Sequence, residues 1–267
     1  MSVILSCVNL KGGVGKTAIA VNFAAYCGSK GYKTLLVDLD PQTNATFSCI
    51  SVDDWEKHAS KFGTVANLFG IRQSSAEGRE RTAAEIIKRK VFKNVDLLPS
   101  HLDLFTIDLD LASATARETK LRRALDSVKS EYEILVCDCP PNLTIPTQNA
   151  IAMSSHYVVP VSPDYLSGIG VGILLSRIDR LSKELEHVIK HAGIIISRVG
   201  RPAEHRTQTV NALRETFKES VFDAEIRERV AVSKAAEQHI HIFSSGDREA
   251  TQEFTNVSEE LLERLEV

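Results

Sequence analysis

A doubly wound α/β fold, with a mostly parallel sheet and helices on both faces, is predicted for this 267-residue chain by three observations. Short apolar runs rich in β-branched residues recur along it, each continuous rather than alternating, as in strands buried on both faces. The segments between them place apolar residues at helical spacing with charge on the opposite side. The first apolar run also feeds a glycine-rich turn and then an alanine-rich run, the opening of a right-handed strand–helix–strand crossover.

Taken in order, strands are expected at 3–8, 33–37, 95–98, 134–137, 157–161 and 194–197, and helices at 18–25, 117–129, 170–187, 206–218 and 251–265. Residues 51–93 are polar and charged, with Gly63, Gly70 and Gly78, and read as a helical excursion from the sheet. With 43% hydrophobic residues, one large core holds the chain without disulfides or a metal, so 1–267 is read as a single domain. The five cysteines are odd in number and lack C-x-x-C spacing, which points to reduced thiols. A net charge of −3 excludes a polycation, so nucleic-acid binding would need a local patch. The chain enters its first strand without a charged leader and has no stretch long enough to span a bilayer, so a cytoplasmic protein without membrane attachment is expected.

The strongest chemical signal is Leu10-Lys11-Gly12-Gly13-Val14-Gly15-Lys16-Thr17, between the first strand and the first helix. Glycines let consecutive backbone N–H groups converge on an anion, and the helix adds its positive end. Lys16 supplies a charge for the β- and γ-phosphates and Thr17 a hydroxyl for Mg²⁺. Leu10 stands where the usual P-loop has glycine, and Lys11 is an extra cation. A second cation is redundant for the chain's own nucleotide but has a purpose if it reaches a nucleotide held by another subunit.

This pattern resembles the deviant P-loop ATPases of the ParA/MinD group, whose K-G-G-x-G-K-[ST] motif carries such a signature lysine; the chain looks nearest to the Soj-like ParA members. The resemblance implies ATP and Mg²⁺ as ligands, with Gly12, Gly13, Val14, Gly15, Lys16, Thr17 and Ala18 cradling the phosphates. Ala18 replaces the family's second threonine and removes a hydroxyl near the α-phosphate. The segment Leu36-Val37-Asp38-Leu39-Asp40-Pro41-Gln42-Thr43-Asn44-Ala45-Thr46 resembles the family's V-D-x-D-P-Q-x-N, in which the first Asp organises the metal shell and the second orients the attacking water. Phosphoryl transfer needs positioning more than proton abstraction, so a carboxylate such as Asp40 suits that role. Asp138, ending an apolar strand before Cys139-Pro140-Pro141, stands where such ATPases carry their Mg²⁺-linked carboxylate. Lys11, Lys16 and Asp40 are thus the expected catalytic residues, and Thr17, Asp38 and Asp138 the metal residues.

Two weaker carry-overs follow from the same resemblance. The loop Ser162-Pro163-Asp164-Tyr165-Leu166-Ser167-Gly168 resembles the one that closes over adenine, which makes Pro163 and Asp164 candidate nucleotide contacts. Arg198, Arg201, Arg206, Arg227, Arg229 and Lys234, joined by His205, are candidates for a stripe that holds nonspecific DNA, although Glu204, Glu225, Glu228 and Glu237 are interleaved with them. The implied cycle is an ATP-bound homodimer on the nucleoid, reset when a ParB-like protein or cargo adaptor stimulates hydrolysis. No helix-turn-helix extension precedes the ATPase motif, so autoregulation by operator binding is not expected. Two alternatives share the scaffold. A MinD-like membrane-cycling switch needs a basic amphipathic C-terminus, whereas Glu259, Glu260, Glu263 and Glu266 crowd this one. A metabolic or metal-insertion ATPase needs a substrate pocket or cysteine ligands that the sequence does not display.

Overall fold

The structure, a computed structural model, describes residues 2–71, 80–164, 167–200 and 204–267, apart from the side chain of His205. Among the described residues, eight strands form one sheet: β1 (Val3–Cys7), β2 (Thr34–Asp38), β3 (Lys88–Phe92), β4 (Val95–Leu98), β5 (Ile134–Asp138), β6 (His156–Val161), β7 (Lys190–Val199) and β8 (Val221–Arg227). Their order is β3-β4-β2-β5-β1-β6-β7-β8. Only the β3–β4 pair is antiparallel among the described pairs. The remaining pairs run parallel, as crossover connections require.

Parallel strands buried on both faces divide their side chains by parity. Leu35, Val37, Leu135, Cys137, Val159 and Ile194 enter one core layer, and Leu5, Cys7, Leu36, Val136, Val158 and Ile195 enter the other. The second layer is covered by α1 (Lys16–Lys30), α2 (Asn44–Cys49), α11 (Val230–Glu237) and α12 (Arg248–Arg264), through Phe23, Ala45, Ala235 and Phe254. On the first layer lie α4 (Val65–Leu68), α5 (Ala83–Ile86), α6 (Ile107–Asp110), α7 (Lys120–Leu125), α8 (Ile145–Met153), α9 (Ser167–Glu184) and α10 (Glu204–Phe217). The doubly wound expectation is therefore met. Asp38 and Asp138 are register partners at the ends of adjacent strands β2 and β5, and their parity points both to the α1 face.

Three expectations change. The excursion over 51–93 does contain helices, α3 (Val52–Lys61), α4 and α5, but its last residues return to the sheet as edge strand β3. The helix expected over 117–129 is broken into 3₁₀ turns at Arg117–Thr119 and Lys129–Glu131 around a short α7. Strand β8, unread in the sequence, pairs with β7 at the far edge. Its outer face carries charge, so its apolar run is interrupted.

Gly28 lies where α1 crosses the β3–β4 turn. A Cβ there would sit 2.2 Å from the Lys93 carbonyl oxygen and 2.6 Å from Val95 Cγ2. Alanine favours a helix by about 1 kcal/mol over glycine, but overpacking against backbone outweighs that. Gly28→Ala is expected to destabilise the protein by about 2 kcal/mol in urea, followed by the emission of Trp55, the chain's one tryptophan. An unchanged midpoint would mean that the turn moves aside freely.

Candidate functional site

The turn from β1 into α1 is built to stay open. Gly15 is the N-cap of α1 at φ 83°, a left-handed conformation that glycine adopts without a Cβ clash, and no side chain caps the first helical turn. The positive end of a 15-residue helix therefore faces a cavity of about 1050 Å³. Gly12, Gly13, Gly15, Lys16, Thr17 and Ala18 line it from the loop, and Asp40 lines it from the β2 edge. Val14 is buried beneath, and its carbonyl accepts a 2.6 Å hydrogen bond from the Ser197 hydroxyl.

Four charged groups meet at this edge of the sheet. Lys16 is only 6% exposed; burial lowers its pKa, against the pull of Asp138, Cys139 and Asp40, and its Nζ donates to the Lys11 carbonyl at 3.1 Å. Asp38 is fully buried, and burial foremost pushes its carboxyl up to about 7, opposed by the donors of Thr46. Its Oδ2 accepts from the Thr46 hydroxyl at 2.7 Å and N–H at 2.8 Å, and its Oδ1 accepts from the Asp40 N–H at 3.1 Å. Asp38 thus turns toward the start of α2, whereas Asp40 turns toward the cavity. The Asp40 Oδ1 accepts from the Gln42 N–H at 2.9 Å.

Asp138 differs from both. It is fully buried, and neither of its oxygens receives a donor in hydrogen-bond geometry. Burial raises its pKa well above the usual range and the charge of Asp38 adds to that, while the nearby Thr17 hydroxyl and Lys16 pull it back. A buried carboxylate with no donor, beside a threonine hydroxyl, suits a small hard cation that takes oxygen ligands. Thr17 and Asp138 therefore fit Mg²⁺, with Asp38 behind them as a hydrogen-bonded neighbour.

The two loop lysines diverge. Lys16 lines the cavity, but Lys11 does not; its side chain is 56% exposed and its Nζ pairs with the Asp164 carboxylate, which that hydrogen bond holds below the usual carboxylate range. Pro163 is buried, and neither Pro163 nor Asp164 lines the cavity, so the loop expected over adenine stands apart from it; Tyr165 and Leu166 lie outside the described residues. The wall opposite the loop is made instead by Ser197, Arg198 and the stretch Ile226 to Val230.

The basic stripe is also redistributed. Arg198 Nη1 donates to the Gly13 carbonyl at 2.6 Å, and its Nη2 pairs with Glu228. Arg229 bridges Glu253 and Glu249, each at 2.7 Å, which raises its already high pKa, and Arg227 faces Glu253 at 3.9 Å. Arg206 lines a smaller cavity beside Arg227 and Arg229, and Lys234 is exposed on α11. Arg201 and the side chain of His205 lie outside the described residues. Residues that sequence reading missed are Ser197, which braces the loop, and Thr46, which holds Asp38. Thr46 ends the motif that begins at Leu36, where it carried no assigned role, and Ser197 ends the apolar run 194–197; the fold gives each its partner.

The family described as AAA domain matches residues 2–191. The sporulation initiation inhibitor protein Soj of Bacillus subtilis is 30% identical over 235 residues, covering 88% of each chain. The chain belongs to the ParA/MinD-type P-loop ATPases. Two solved structures share the fold of this ParA/MinD-type chain. A putative plasmid partition protein from Borrelia burgdorferi bound to AMPPNP is 20% identical, with a TM-score of 0.79 over 99% of this chain and 100% of that one. Cobyrinic acid a,c-diamide synthase from Mycobacterium smegmatis with a bound ATP analogue and magnesium is 23% identical, with a TM-score of 0.79 over 98% and 94%. No helix of the ParA/MinD-type chain is long and apolar enough to cross a membrane, among the described residues.

The raised carboxyl of Asp138 has a pH consequence. A carboxyl whose folded pKa exceeds its unfolded value near 4 stabilises fully below that value, and the benefit is lost as pH rises toward the raised folded value. Asp138→Asn is expected to raise the melting temperature of the nucleotide-free protein. Its advantage over the parent should widen from about pH 5 to about pH 8, by up to about 1.4 kcal/mol per pH unit. Buried histidines such as His58 and His191 titrate in both proteins and cancel in the difference. Thermal melts across that range read it, and a constant gap would show that Asp138 is ionised in both folded and unfolded states.

Proposed function

We propose that residues 1–267 form one ATPase domain that assembles as a sandwich dimer when ATP-bound, holds nonspecific DNA in that state, and is reset by partner-stimulated hydrolysis. The role is partition of a plasmid or chromosome, or positioning of another cargo, in the cytoplasm and on the nucleoid. The observation that carries this reading is the divergence of the two lysines. Lys16 is buried in the wall of the cavity, so it serves the chain's own triphosphate. Lys11 is exposed outside the cavity and held by an exposed carboxylate, a pair worth little and easily exchanged. An ammonium so placed serves a triphosphate brought by a second copy, and Asp164 holds it until then.

The chain's own groups divide the chemistry as follows. Loop amides and Lys16 bind and orient the phosphates, with Ala18 at the end nearest the α-phosphate. Asp40 holds the attacking water as its oxygen bonds to the γ-phosphorus and the bond to the bridging oxygen of ADP breaks. When bound at Thr17 and Asp138, Mg²⁺ supplies neutralising charge to the β- and γ-phosphate oxygens. Similarity to Soj and the AMPPNP complex of the Borrelia protein support ATP as the nucleotide and partition as the setting. Helix α12 buries Ala250, Phe254, Val257 and Leu261 against the sheet, which favours DNA over lipid as the surface bound. Because Arg198, Arg227 and Arg229 are matched with acids in the single chain, DNA contact draws on cations such as Lys234 once two copies combine. A ParB-like protein or cargo adaptor is the stimulating partner in this reading.

Two substitutions test it. Lys11→Gln is expected to keep ATP affinity within about threefold, since the exposed pair contributes little, yet to abolish ATP-dependent dimers in analytical ultracentrifugation. A variant that still dimerises removes the trans role. Asp40→Ala is expected to lower turnover about 100-fold and to accumulate ATP-bound dimer that sediments with duplex DNA in low salt. Turnover equal to the parent would reassign Asp40 to structure.

A further inference from the structure

Beyond the end of β2 the sheet no longer holds Asp40. The last sheet-type bond of the segment is from the Leu39 N–H to the Asp138 carbonyl, at 3.0 Å. What holds Asp40 is a closed ring of hydrogen bonds through two hydroxyl residues. The Asp40 N–H donates to Asp38 Oδ1 at 3.1 Å, and Asp38 Oδ2 accepts from the Thr46 hydroxyl at 2.7 Å. Thr46 Oγ1 in turn accepts from the Ser100 N–H at 3.0 Å, and the Ser100 hydroxyl donates to the Asp40 carbonyl at 2.7 Å. The Thr43 N–H shares that carbonyl at 2.9 Å. Asp40 is therefore gripped at both its backbone groups, by Asp38 on one side and Ser100 on the other, while its carboxylate faces the cavity.

Ser100 and Thr46 are both fully buried and neither lines the cavity. Ser100 follows β4, and its remaining group is used as well. The Ser100 carbonyl accepts from Trp55 Nε1 at 3.0 Å, and the indole stacks on His101 at 5.3 Å and meets Phe47 edge-on. Every polar atom of Ser100 is thus engaged, by Thr46, the Asp40 turn or Trp55, and Ser100 and Thr46 themselves are 0% exposed. Each polar atom of this buried ring has a partner, so breaking a link leaves a desolvated group unpaired and one arrangement is favoured.

We propose that Ser100, acting with Thr46, is a positioning residue for hydrolysis: the ring it closes fixes the backbone of Asp40 so that its carboxylate keeps one aim into the cavity. This rests on the reading of Asp40 as the group that holds the attacking water. A displacement on the order of 1 Å at such a group costs up to about 100-fold in rate, so a ring that removes slack acts on turnover and leaves phosphate binding alone.

The test uses the full chain with Mg²⁺-ATP. Ser100→Ala removes one hydroxyl but keeps the carbonyl that Trp55 bonds, so Trp55 emission reports whether the local fold is intact. The expected result is a single-turnover rate down about tenfold, with affinity for a fluorescent ATP analogue within about twofold and unchanged emission. Thr46→Val should behave alike, and Thr46→Ser, which keeps the hydroxyl, should restore most of the rate. Asp40→Ala runs alongside. If it turns over like the parent, the water-holding role of Asp40 fails and this proposal with it. If Asp40→Ala is slow but Ser100→Ala is not, or if Thr46→Ser falls as far as Thr46→Val, the positioning role is overturned while the role of Asp40 stands. A joint loss of rate, affinity and native emission in Ser100→Ala assigns the ring to folding alone and also overturns it.

Discussion

Three carboxylates and one ammonium share the buried edge between β1, β2 and β5, and that imbalance of charge organises everything around it. Asp38 and Asp138 are register partners, so their side chains emerge next to each other on one face of the sheet. Two like charges at that spacing in a dry site oppose each other's ionisation, and burial opposes it further. Asp38 resolves its share by accepting from Thr46 and the Asp40 amide. Asp138 has no such donors, and Lys16 alone does not balance the group. A cation held at Thr17 and Asp138 would relieve the conflict, so a site costly to the empty protein is suited to a metal–triphosphate ligand.

The surrounding scaffold keeps a glycine-rich loop in shape without filling it. Loop glycines contribute no side chains, so the rigidity comes from outside: Ser197 and Arg198, at the end of β7, bond the carbonyls of Val14 and Gly13. Asn9 adds a third tie, donating to the Pro160 carbonyl at 2.6 Å and accepting from the Lys11 N–H at 2.9 Å. The ties from β7 engage loop carbonyls and Asn9 takes the Lys11 N–H, so the N-terminal end of α1 is left to the cavity. The exposed Lys11–Asp164 pair lies at the outer side of the same loop, where solvent screens it.

The centre of the sheet was legible because its strands are continuous apolar runs, a pattern that burial on both faces enforces at β1, β2, β5 and β6. The edges were not. Lys88–Phe92 presents lysines and an arginine as a solvent-facing edge strand does, and Val221–Arg227 alternates with acids. Neither differs locally from a charged loop. The region 117–129 has helical spacing, yet Asn149 on α8 accepts from the Leu121 N–H and donates to the Arg117 carbonyl, so a tertiary contact is built into the turn where a longer helix would begin.

Residue order alone determined the phosphate loop, the carboxylates at the ends of β2 and β5 and the parallel architecture that brings them together, because each depends on local spacing and on the parity of a strand. Tertiary structure alone decided which groups share those carboxylates and which side chains close the cavity. Thr46 and Ser100 reach the Asp38–Asp40 turn from two different connections, and the wall of Arg198 and Ile226 to Val230 comes from β7, the end of β8 and the turn that leads into α11. Such contacts are set by the order in which strands are laid side by side, and a hydrogen bond between residues 60 positions apart, as from Ser100 to Asp40, leaves no periodic mark along the chain.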